Sequence, residues 1–160
     1  MPSMVPAMRE TFAVKIVIDG LDDVERLADL AQDAERDGHR MVTQLIGDWR
    51  DGTNRFEGPG ESLYVAWLDG GLIGVCGLNV DPYVSDTRVG RVRRLYVAMD
   101  SRRLGIGSLL VRCIIDDARR SFDVLRLRTR NPVASAFYES HGFVRVAGVD
   151  VCTHRLALRG

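Results

Sequence analysis

Arg102-Arg103-Leu104-Gly105-Ile106-Gly107-Ser108 is the stretch of sequence that restricts the fold and the chemistry most strongly. It joins a predicted strand that ends at Val97 to a predicted helix that begins near Leu104. A glycine-bearing loop that enters a helix exposes unpaired backbone N–H groups at the positive end of the helix dipole, where phosphate oxygens are stabilised. The two glycines remove Cβ atoms that would hold a phosphate away, and the two arginines add charge-assisted hydrogen bonds. The stretch therefore predicts a pyrophosphate cradle.

Two other nucleotide-binding loops do not fit this stretch. A Walker loop needs the pattern G-x-x-x-x-G-K-[ST], which the chain does not contain. A dinucleotide-binding fold places its first glycine directly after the strand and an acidic residue ~20 positions further on. Here residues 98–104 separate Val97 from Gly105, and the later region reads Arg126-Leu127-Arg128. A plain tight connection that needs small residues is the alternative for the loop taken alone.

Outward from the loop, hydrophobic spacing predicts the element order β-α-α-β-β-β-α-β-α-β-β. Asp69-Gly70-Gly71 between two apolar runs is the strongest hairpin signal. Pro132 at a first helical turn and Gly142 after a last one delimit a short helix. The predicted strands cover 12–18, 63–68, 72–80, 91–97, 124–129, 143–146 and 149–158, and the predicted helices cover 21–36, 39–50, 104–121 and 134–141.

The composition is that of one ordinary globular domain. The chain has 160 residues, 46% hydrophobic and 28% charged, with a mean hydropathy of −0.06. Its longest apolar stretches, such as 72–80, are far shorter than the ~18–20 residues that span a bilayer, and residues 1–9 lack a secretory pattern. Three widely spaced cysteines form neither a zinc nor a disulfide pattern. We expect a single cytoplasmic domain over residues 1–160, with no metal and no membrane partner.

The net charge of zero is the sum of two opposite halves. Residues 1–87 hold 16 Asp and Glu against 7 Lys and Arg, which gives −9, and residues 88–160 hold 6 against 15, which gives +9. Such polarity predicts an anion at the C-terminal half and a cation at the N-terminal half, unless the two sets of charges pair with each other. With a pI near 6.8, the whole chain lacks the basic excess of a nucleic-acid-binding protein.

Two motifs resemble one family. Arg94-Leu95-Tyr96-Val97 followed by Arg102-x-x-Gly105-x-Gly107 is similar to the Q/R-x-x-G-x-G/A acetyl-CoA signature of the GCN5-related N-acetyltransferases (GNAT). Asn131-x-x-Ala134-x-x-Phe137-Tyr138-Glu139-x-x-Gly142-Phe143 resembles the family's later strand-helix motif. The resemblance implies an α/β (α+β) fold whose mixed, mostly antiparallel sheet is splayed in the middle and flanked by helices on both faces. It also implies acetyl transfer from acetyl-CoA to a small-molecule or peptide amine, and a homodimer at family level.

The resemblance further implies a role for each matching residue. Backbone groups of Leu95, Tyr96 and Val97 would bind the pantetheine arm, and the loop Arg102–Ser108 would bind the pyrophosphate. Asn131 would hold the pantetheine amide from the other side. Tyr138 would protonate the departing thiolate, since a phenol with an ordinary pKa of about 10 can serve as an acid on a rigid helix. A strand N–H, that of Val97, would stabilise the charge on the thioester oxygen.

The general base departs from the family pattern. Many members carry a glutamate near the start of the strand where this chain has Arg91, and no carboxylate occurs from Val89 to Met99. Asp81, Glu61 and His154 are the candidates, and deprotonation of the acceptor in bulk water is the alternative. The missing glutamate also favours a second hypothesis, a non-catalytic acyl-CoA-binding or regulatory module, although the retained tyrosine speaks against it.

Three weaker patterns complete the prediction. Cys152 and His154 lie two apart on a predicted strand and could form a thiol-imidazole pair, although packing is the more common role. The arginines at 126, 128 and 130 alternate onto one strand face, which is solvated or attracts the 3′-phosphate of coenzyme A. Acidic loops around 51–61 and 81–86 favour a cationic acceptor.

Overall fold

The described chain forms one sheet with helices on both faces. The computed structural model describes residues 15–18 and 23–159, and their element order is the predicted one. The strands are β1 (Lys15–Ile18), β2 (Ser62–Leu68), β3 (Gly71–Val80), β4 (Val89–Val97), β5 (Val124–Leu127), β6 (Val144–Arg145) and β7 (His154–Ala157), and the helices are α1 (Ala28–Arg36), α2 (Met41–Asp51), α3 (Ile106–Ala118) and α4 (Pro132–Ser140). None of these helices is long and apolar enough to cross a membrane.

Several element ends differ from the prediction because hydrogen bonds outside the local sequence set them. The long last strand predicted over 149–158 is only β7, since the chain turns before it and Val146 N–H donates to Thr153 C=O (2.7 Å). The first predicted helix begins as a 3₁₀ turn, Val24–Leu27, capped by the side chain of Asp23. Residues 12–14 of the first predicted strand and residues 21–22 of the first predicted helix lie outside the described part.

The sheet has the order β1-β2-β3-β4-β5-β7-β6. Every neighbouring pair is antiparallel except β4 and β5, which run parallel. These two strands are in register only from Val89 opposite Val124 to Arg91 opposite Arg126. Beyond that point β4 continues to Val97, and the two strands part. The predicted splay in the middle of a mixed sheet is therefore confirmed.

The β2–β3 hairpin is the one that the sequence predicts. Its turn residues Asp69 and Gly70 have φ of +51° and +82°. Two successive positive φ values are typical of a type I′ turn, whose twist matches that of the flanking strands. The turn therefore fixes the register of the hairpin.

The core consists of two hydrophobic clusters, one on each face of the sheet. Helices α1 and α2 cover one face, where Leu45, Val75 and Tyr96 are buried together. Helices α3 and α4 cover the other face, where Leu110 and Leu125 are buried together. We call these the α1/α2 face and the α3/α4 face. Strand residues alternate between them, as the two-residue period of a strand requires.

Strand β4 contains a bulge. Val75 of β3 lies opposite Tyr96 and Gly77 lies opposite Arg93, so β4 holds one residue more than β3 between these pairs. Arg94, within the bulge, has a φ of +61°. A bulge bends its strand and increases the local twist, which carries the end of β4 away from β5.

A glycine on β3 makes room for an aromatic ring beside the bulge. Phe56 is 5% exposed, and a Cβ at Gly77 would lie 2.3 Å from its ring atom Cε1. Real Cβ atoms do not approach so closely, so any side chain at this position displaces Phe56. The absence of a side chain at Gly77 is thus a packing requirement of the α1/α2 face.

We expect Gly77→Ala to lower the free energy of unfolding by about 1–3 kcal/mol, as overpacking of a core does. The matched control is Gly47→Ala, because Gly47 is exposed on α2 and a Cβ there meets nothing within 4 Å. This control should raise the stability by roughly 0.5–1 kcal/mol, the usual helix preference for alanine. Urea unfolding measures both variants, and equal shifts would contradict the Phe56 contact.

Candidate active site

A cavity of about 870 Å³ opens where β4 and β5 part. Of the twelve residues that the sequence predicts for the site, eleven line it: Leu95, Tyr96, Val97, Arg102, Arg103, Gly105, Ile106, Gly107, Ser108, Asn131 and Tyr138. Leu104 is the exception, since its side chain is 44% exposed and does not line the cavity. The fold therefore collects residues from β4, the loop before α3, and α4 around one space.

The start of α3 presents free backbone donors to this cavity. Gly105 caps the helix with a φ of +79°, a conformation that glycine adopts without strain. The first hydrogen bond of the helix runs from Leu109 N–H to Gly105 C=O (3.0 Å). The N–H groups of Ile106, Gly107 and Ser108 lie before it in the chain. These three groups have no acceptor among the residues that the structure describes. They point the positive end of a helix dipole at the cavity.

Glycine at position 107 is not required by the packing of the protein. A Cβ there would lie 3.5 Å from the ring of Phe137 and 3.8 Å from Val97, which are ordinary contacts. A Cβ at Gly105 would meet nothing within 4 Å. Small residues beside free N–H donors leave a space that a diphosphate would fill. The loop therefore fits the pyrophosphate of acetyl-CoA.

The two arginines of the loop are placed differently. Arg102 donates from Nη2 to Asp37 Oδ2 (2.6 Å) and from Nε to Val97 C=O (3.1 Å), which ties the loop to the end of α1 and to β4. The hydrogen bond from Arg102 holds the pKa of the Asp37 carboxyl below its usual value. Arg103 is exposed, with a φ of +72°, and forms no ion pair with a described residue. Arg103 is thus the arginine of the loop that is available to an anion.

The backbone of Val97 faces the opening between β4 and β5. Val97 lies opposite Gly74 of β3, and Ala98 N–H donates to Ile73 C=O at 2.8 Å. In an antiparallel pair this pattern turns the N–H and C=O of Val97 away from β3. The same alternation turns the backbone groups of Tyr96 towards β3, so Tyr96 reaches the cavity by contact and not by free backbone groups. The Val97 N–H remains a donor for a ligand.

Tyr138 lines the cavity from α4. Its side chain is 8% exposed and packs edge-on against Phe137 (ring centroids 5.3 Å apart) and Phe143 (5.6 Å). The hydroxyl makes no hydrogen bond to a described residue. Burial raises the pKa of the phenol above its usual value, and the nearby Cys76 acts in the same direction. The phenol is therefore protonated at neutral pH.

Asn131 caps the helix that carries Tyr138. Its side-chain oxygen accepts from the N–H groups of Val133 (2.8 Å) and Ala134 (3.3 Å), and Pro132 follows at the first helical position. Capping thereby uses the oxygen of Asn131, and the side-chain NH₂ has no partner among the described residues. The NH₂ group is the part of this residue that is available to a ligand.

None of the three candidate bases lines the cavity. Asp81 has a fully buried carboxylate that lies 3.3 Å from Arg91 Nη1 and 3.3 Å from Arg126 Nε. Glu61 Oε2 accepts from Val80 N–H at 2.9 Å and also binds a neighbouring asparagine. Both carboxylates therefore serve the fold, and neither is placed to remove a proton from a ligand.

His154 is also committed to structural contacts. The residue is 1% exposed; its Nε2 lies 3.0 Å from Ser135 Oγ and 2.9 Å from Glu139 Oε2, and its Nδ1 lies 2.9 Å from Thr153 Oγ1. Cys152 is outside β7, and its thiol donates to the backbone oxygen of His154, not to the ring. The thiol-imidazole pair is therefore not formed.

Sequence reasoning missed three residues that reach the cavity from other elements. Asp37 and His39 lie in the connection between α1 and α2, and Tyr83 lies in the loop after β3. The imidazole Nε2 of His39 is 3.7 Å from Asp37 Oδ2. No local motif marks these positions, because the packing of α1 and α2 on the sheet brings Asp37 and His39 to the cavity and the path of the loop after β3 brings Tyr83.

Comparisons with known proteins agree with this geometry. The family model of the acetyltransferase (GNAT) domain matches residues 59–145. A protein from Exiguobacterium sp. 255-15 that is assigned as an acetyltransferase is 26% identical to this chain. Its TM-score is 0.78, and the match covers 89% of this chain and 93% of that one. A GNAT-family acetyltransferase from Staphylococcus aureus Mu50 is 18% identical (TM-score 0.71, 92% and 100% covered), and an N-acetyltransferase from the same organism is 15% identical (0.65, 91% and 99%). The two proteins from Staphylococcus aureus show that their fold is shared with this chain.

The family model spans more than half of the chain and includes both motifs that carry the resemblance. The cavity, the loop before α3 and Tyr138 all lie within or beside the matched residues. The chain therefore belongs to the GNAT family of acetyltransferases.

Proposed function

We propose that residues 1–160 form a single acetyl-CoA-dependent N-acetyltransferase domain in which an amine attacks the thioester directly. One observation carries the proposal. A single cavity joins free N–H donors at the start of α3, the unpaired backbone of β4 and the hydroxyl of Tyr138. Donors for a diphosphate, donors for an extended amide arm and an acid for a leaving group are the parts that this reaction needs.

The loop and β4 would position the thioester. The N–H groups of Ile106, Gly107 and Ser108 would bind the pyrophosphate, with Arg103 adding charge. The side-chain NH₂ of Asn131 would hold the pantetheine amide. The Val97 N–H would stabilise the negative charge that develops on the thioester oxygen during attack.

Tyr138 would donate a proton to the departing thiolate. Its raised pKa keeps the phenol protonated, and its hydroxyl has no competing hydrogen bond to a described residue. A general acid of this kind contributes about 10²- to 10⁴-fold to a rate. The carbon–sulfur bond breaks, the carbon–nitrogen bond forms, and the acceptor nitrogen loses a proton.

The acceptor has to reach the cavity as a neutral amine. A primary amine with a pKa near 10 is only about 0.1% neutral at pH 7. Since Asp81, Glu61 and His154 do not line the cavity, we propose that bulk water takes the proton and that the site positions the amine.

The second candidate function is a non-catalytic acyl-CoA-binding module, which the absence of a base in the cavity favours. Titration of the protein with acetyl-CoA, coenzyme A and ATP, followed by thiol release with amines, separates the two. We expect selective binding of the two CoA compounds and release of thiol. Binding without release would favour the module, and no binding would contradict both.

The three cysteines are unpaired, as is usual in the reducing cytoplasm where we place the protein.

We expect Tyr138→Phe to lower kcat by about 10²- to 10⁴-fold, since the variant keeps the ring but loses the donated proton. Isothermal titration should show an unchanged affinity for acetyl-CoA. The control is Tyr64→Phe, which removes another buried phenol hydroxyl from the α3/α4 face but does not line the cavity. A wild-type rate in Tyr138→Phe would remove the residue from the mechanism.

The pH profile of kcat gives a separate test of the acid. Because burial raises the pKa of Tyr138, its phenol stays protonated as the pH rises through the ordinary tyrosine value of about 10. We expect kcat not to fall between roughly pH 8 and pH 10. A fall over that range in the wild type that is missing in Tyr138→Phe would mean that the phenol titrates at an ordinary pKa.

We expect Gly107→Ala to raise the Kd of acetyl-CoA by at least about tenfold, which corresponds to about 1.4 kcal/mol, because its methyl group would occupy the space of the diphosphate. The melting temperature should not fall, since alanine suits a helix and meets only ordinary contacts here. Gly47→Ala is the matched control on another helix. A wild-type Kd in Gly107→Ala would show that the diphosphate lies elsewhere.

A further inference from the structure

Positive charge is in excess on the α1/α2 face at the point where β4 and β5 part. Arg91 and Arg126 come from the last registered pair of these strands, and both approach the one buried carboxylate of Asp81. The Nε–H of Arg126 is buried and makes no hydrogen bond with a described residue, although it lies 3.3 Å from Asp81. Two guanidinium groups therefore share one carboxylate.

Arg93 adds a third guanidinium, and it has no partner within the part of the chain that the structure describes. It lies two residues beyond Arg91 and opposite Gly77, on which Phe56 of the α1/α2 face packs. Residues opposite each other on neighbouring strands share a face of the sheet. Arg93 is half-buried and forms neither a hydrogen bond nor an ion pair with any residue that the structure describes.

The two carboxylates whose charges act on Arg93 already form ion pairs with other arginines. Asp48 pairs with Arg94 at 3.4 Å, and Asp81 is taken by Arg91 and Arg126. Burial lowers the pKa of the Arg93 guanidinium, and the neighbouring charge of Arg94 acts in the same direction. A half-buried guanidinium without an anion costs free energy that an anionic ligand would recover.

The position of Arg93 connects it to the proposed reaction. Arg93 is one of the β4 residues that line the same cavity as Tyr138, and it also lines a smaller pocket beside the loop 51–61. Arg93 lies on the α1/α2 face, and Tyr138 belongs to the cluster on the α3/α4 face. A thioester held between the parted strands would therefore meet the acid on one side and Arg93 on the other, which is the side left for an acceptor. Tyr83, 54% exposed, borders this side and covers Arg91 with its ring at 4.8 Å.

Four of the five carboxylates in the acidic loops 51–61 and 81–86 make internal contacts, and the fifth, Glu57, does not line the cavity. Asp51 accepts from Thr53 N–H at 2.8 Å, and Asp86 accepts from Arg88 N–H at 2.8 Å. Glu61 and Asp81 are bound as described above. Asp37 is the one carboxylate that lines the cavity among the described residues, and it pairs with Arg102. Within the cavity, the described residues therefore offer a cationic acceptor no carboxylate other than Asp37.

We propose that the acceptor is a small amine that carries a carboxylate, such as an amino acid, and that Arg93 binds this carboxylate. This inference rests on the proposed acetyltransferase function. The planar guanidinium matches a carboxylate through two parallel hydrogen bonds. In the reaction the amine nitrogen bonds to the acetyl carbon, the carbon–sulfur bond breaks, and coenzyme A leaves as the thiol with the proton from Tyr138. The proton that the amine nitrogen loses goes to water, and water returns a proton to the Tyr138 phenolate.

The test compares matched acceptors with the 160-residue chain. Free amino acids are each paired with the corresponding carboxamide, which removes the negative charge. Because amidation also lowers the pKa of the amine, kcat/KM is expressed per concentration of neutral amine. We expect kcat/KM to favour the carboxylate by about 10- to 100-fold, the usual worth of hydrogen bonds to a charged group. Arg93→Gln should abolish this preference by lowering kcat/KM on the carboxylates, and Arg93→Lys should keep part of it. The control is Arg112→Gln, an exposed arginine of α3 that does not line the cavity.

Each result decides one of the two proposals. A preference for the carboxamide, or an equal preference in wild type and Arg93→Gln, would overturn the acceptor inference and leave the acetyltransferase proposal standing. If acetyl-CoA binds and no amine releases thiol, the proposed function fails. Titration of the coenzyme A complex with the amino acids then decides the inference: binding lost in Arg93→Gln but not in Arg112→Gln supports it, and binding unchanged by Arg93→Gln overturns it. A melting temperature no lower in Arg93→Gln than in wild type would verify that the variant folds.

Discussion

The buried carboxylate of Asp81 fixes the point at which β4 and β5 part. It lies at the end of β3 and draws in Arg91 from β4 and Arg126 from β5, the last residues that these strands hold in register. Removing one partner from a buried ion pair generally costs about 3–5 kcal/mol, because the other charge stays uncompensated. The bulge at Arg94 then bends β4 away. The cavity exists where it does because strand pairing ends at this ion cluster.

Four ion pairs among the described residues join the acidic half of the chain to its basic half, and the other ion pairs lie within one half. Asp37 of the acidic half binds Arg102, Asp48 binds Arg94, and Asp81 binds Arg91 of the basic half. These pairs bring α1, α2 and β3 to β4 and its following loop. The opposite charges of the two halves therefore contribute to closing the fold around the cavity, and Arg93 takes no part in these ion pairs.

Local signals made most of the fold and the cofactor side of the site predictable. Gly105 at the start of α3, the turn at Asp69 and the cap at Asn131 each act within a few residues, so the sequence reveals them directly. The base candidates could not be judged in this way. Asp81 and His154 are bound by residues far away in the sequence, and only the folded sheet brings those partners together.

The contacts of α1 with β4 connect the two sides of the cavity to each other. Asp33 accepts from the hydroxyl of Tyr96 (2.7 Å) and from Met99 N–H (3.0 Å), and Asp37 holds Arg102 in the loop before α3. The helix that borders the acceptor side thus anchors the loop that faces the coenzyme. Thermodynamic linkage between two such sites is reciprocal. If coenzyme bound at the loop changes the affinity for the acceptor by some factor, the bound acceptor changes the affinity for the coenzyme by the same factor.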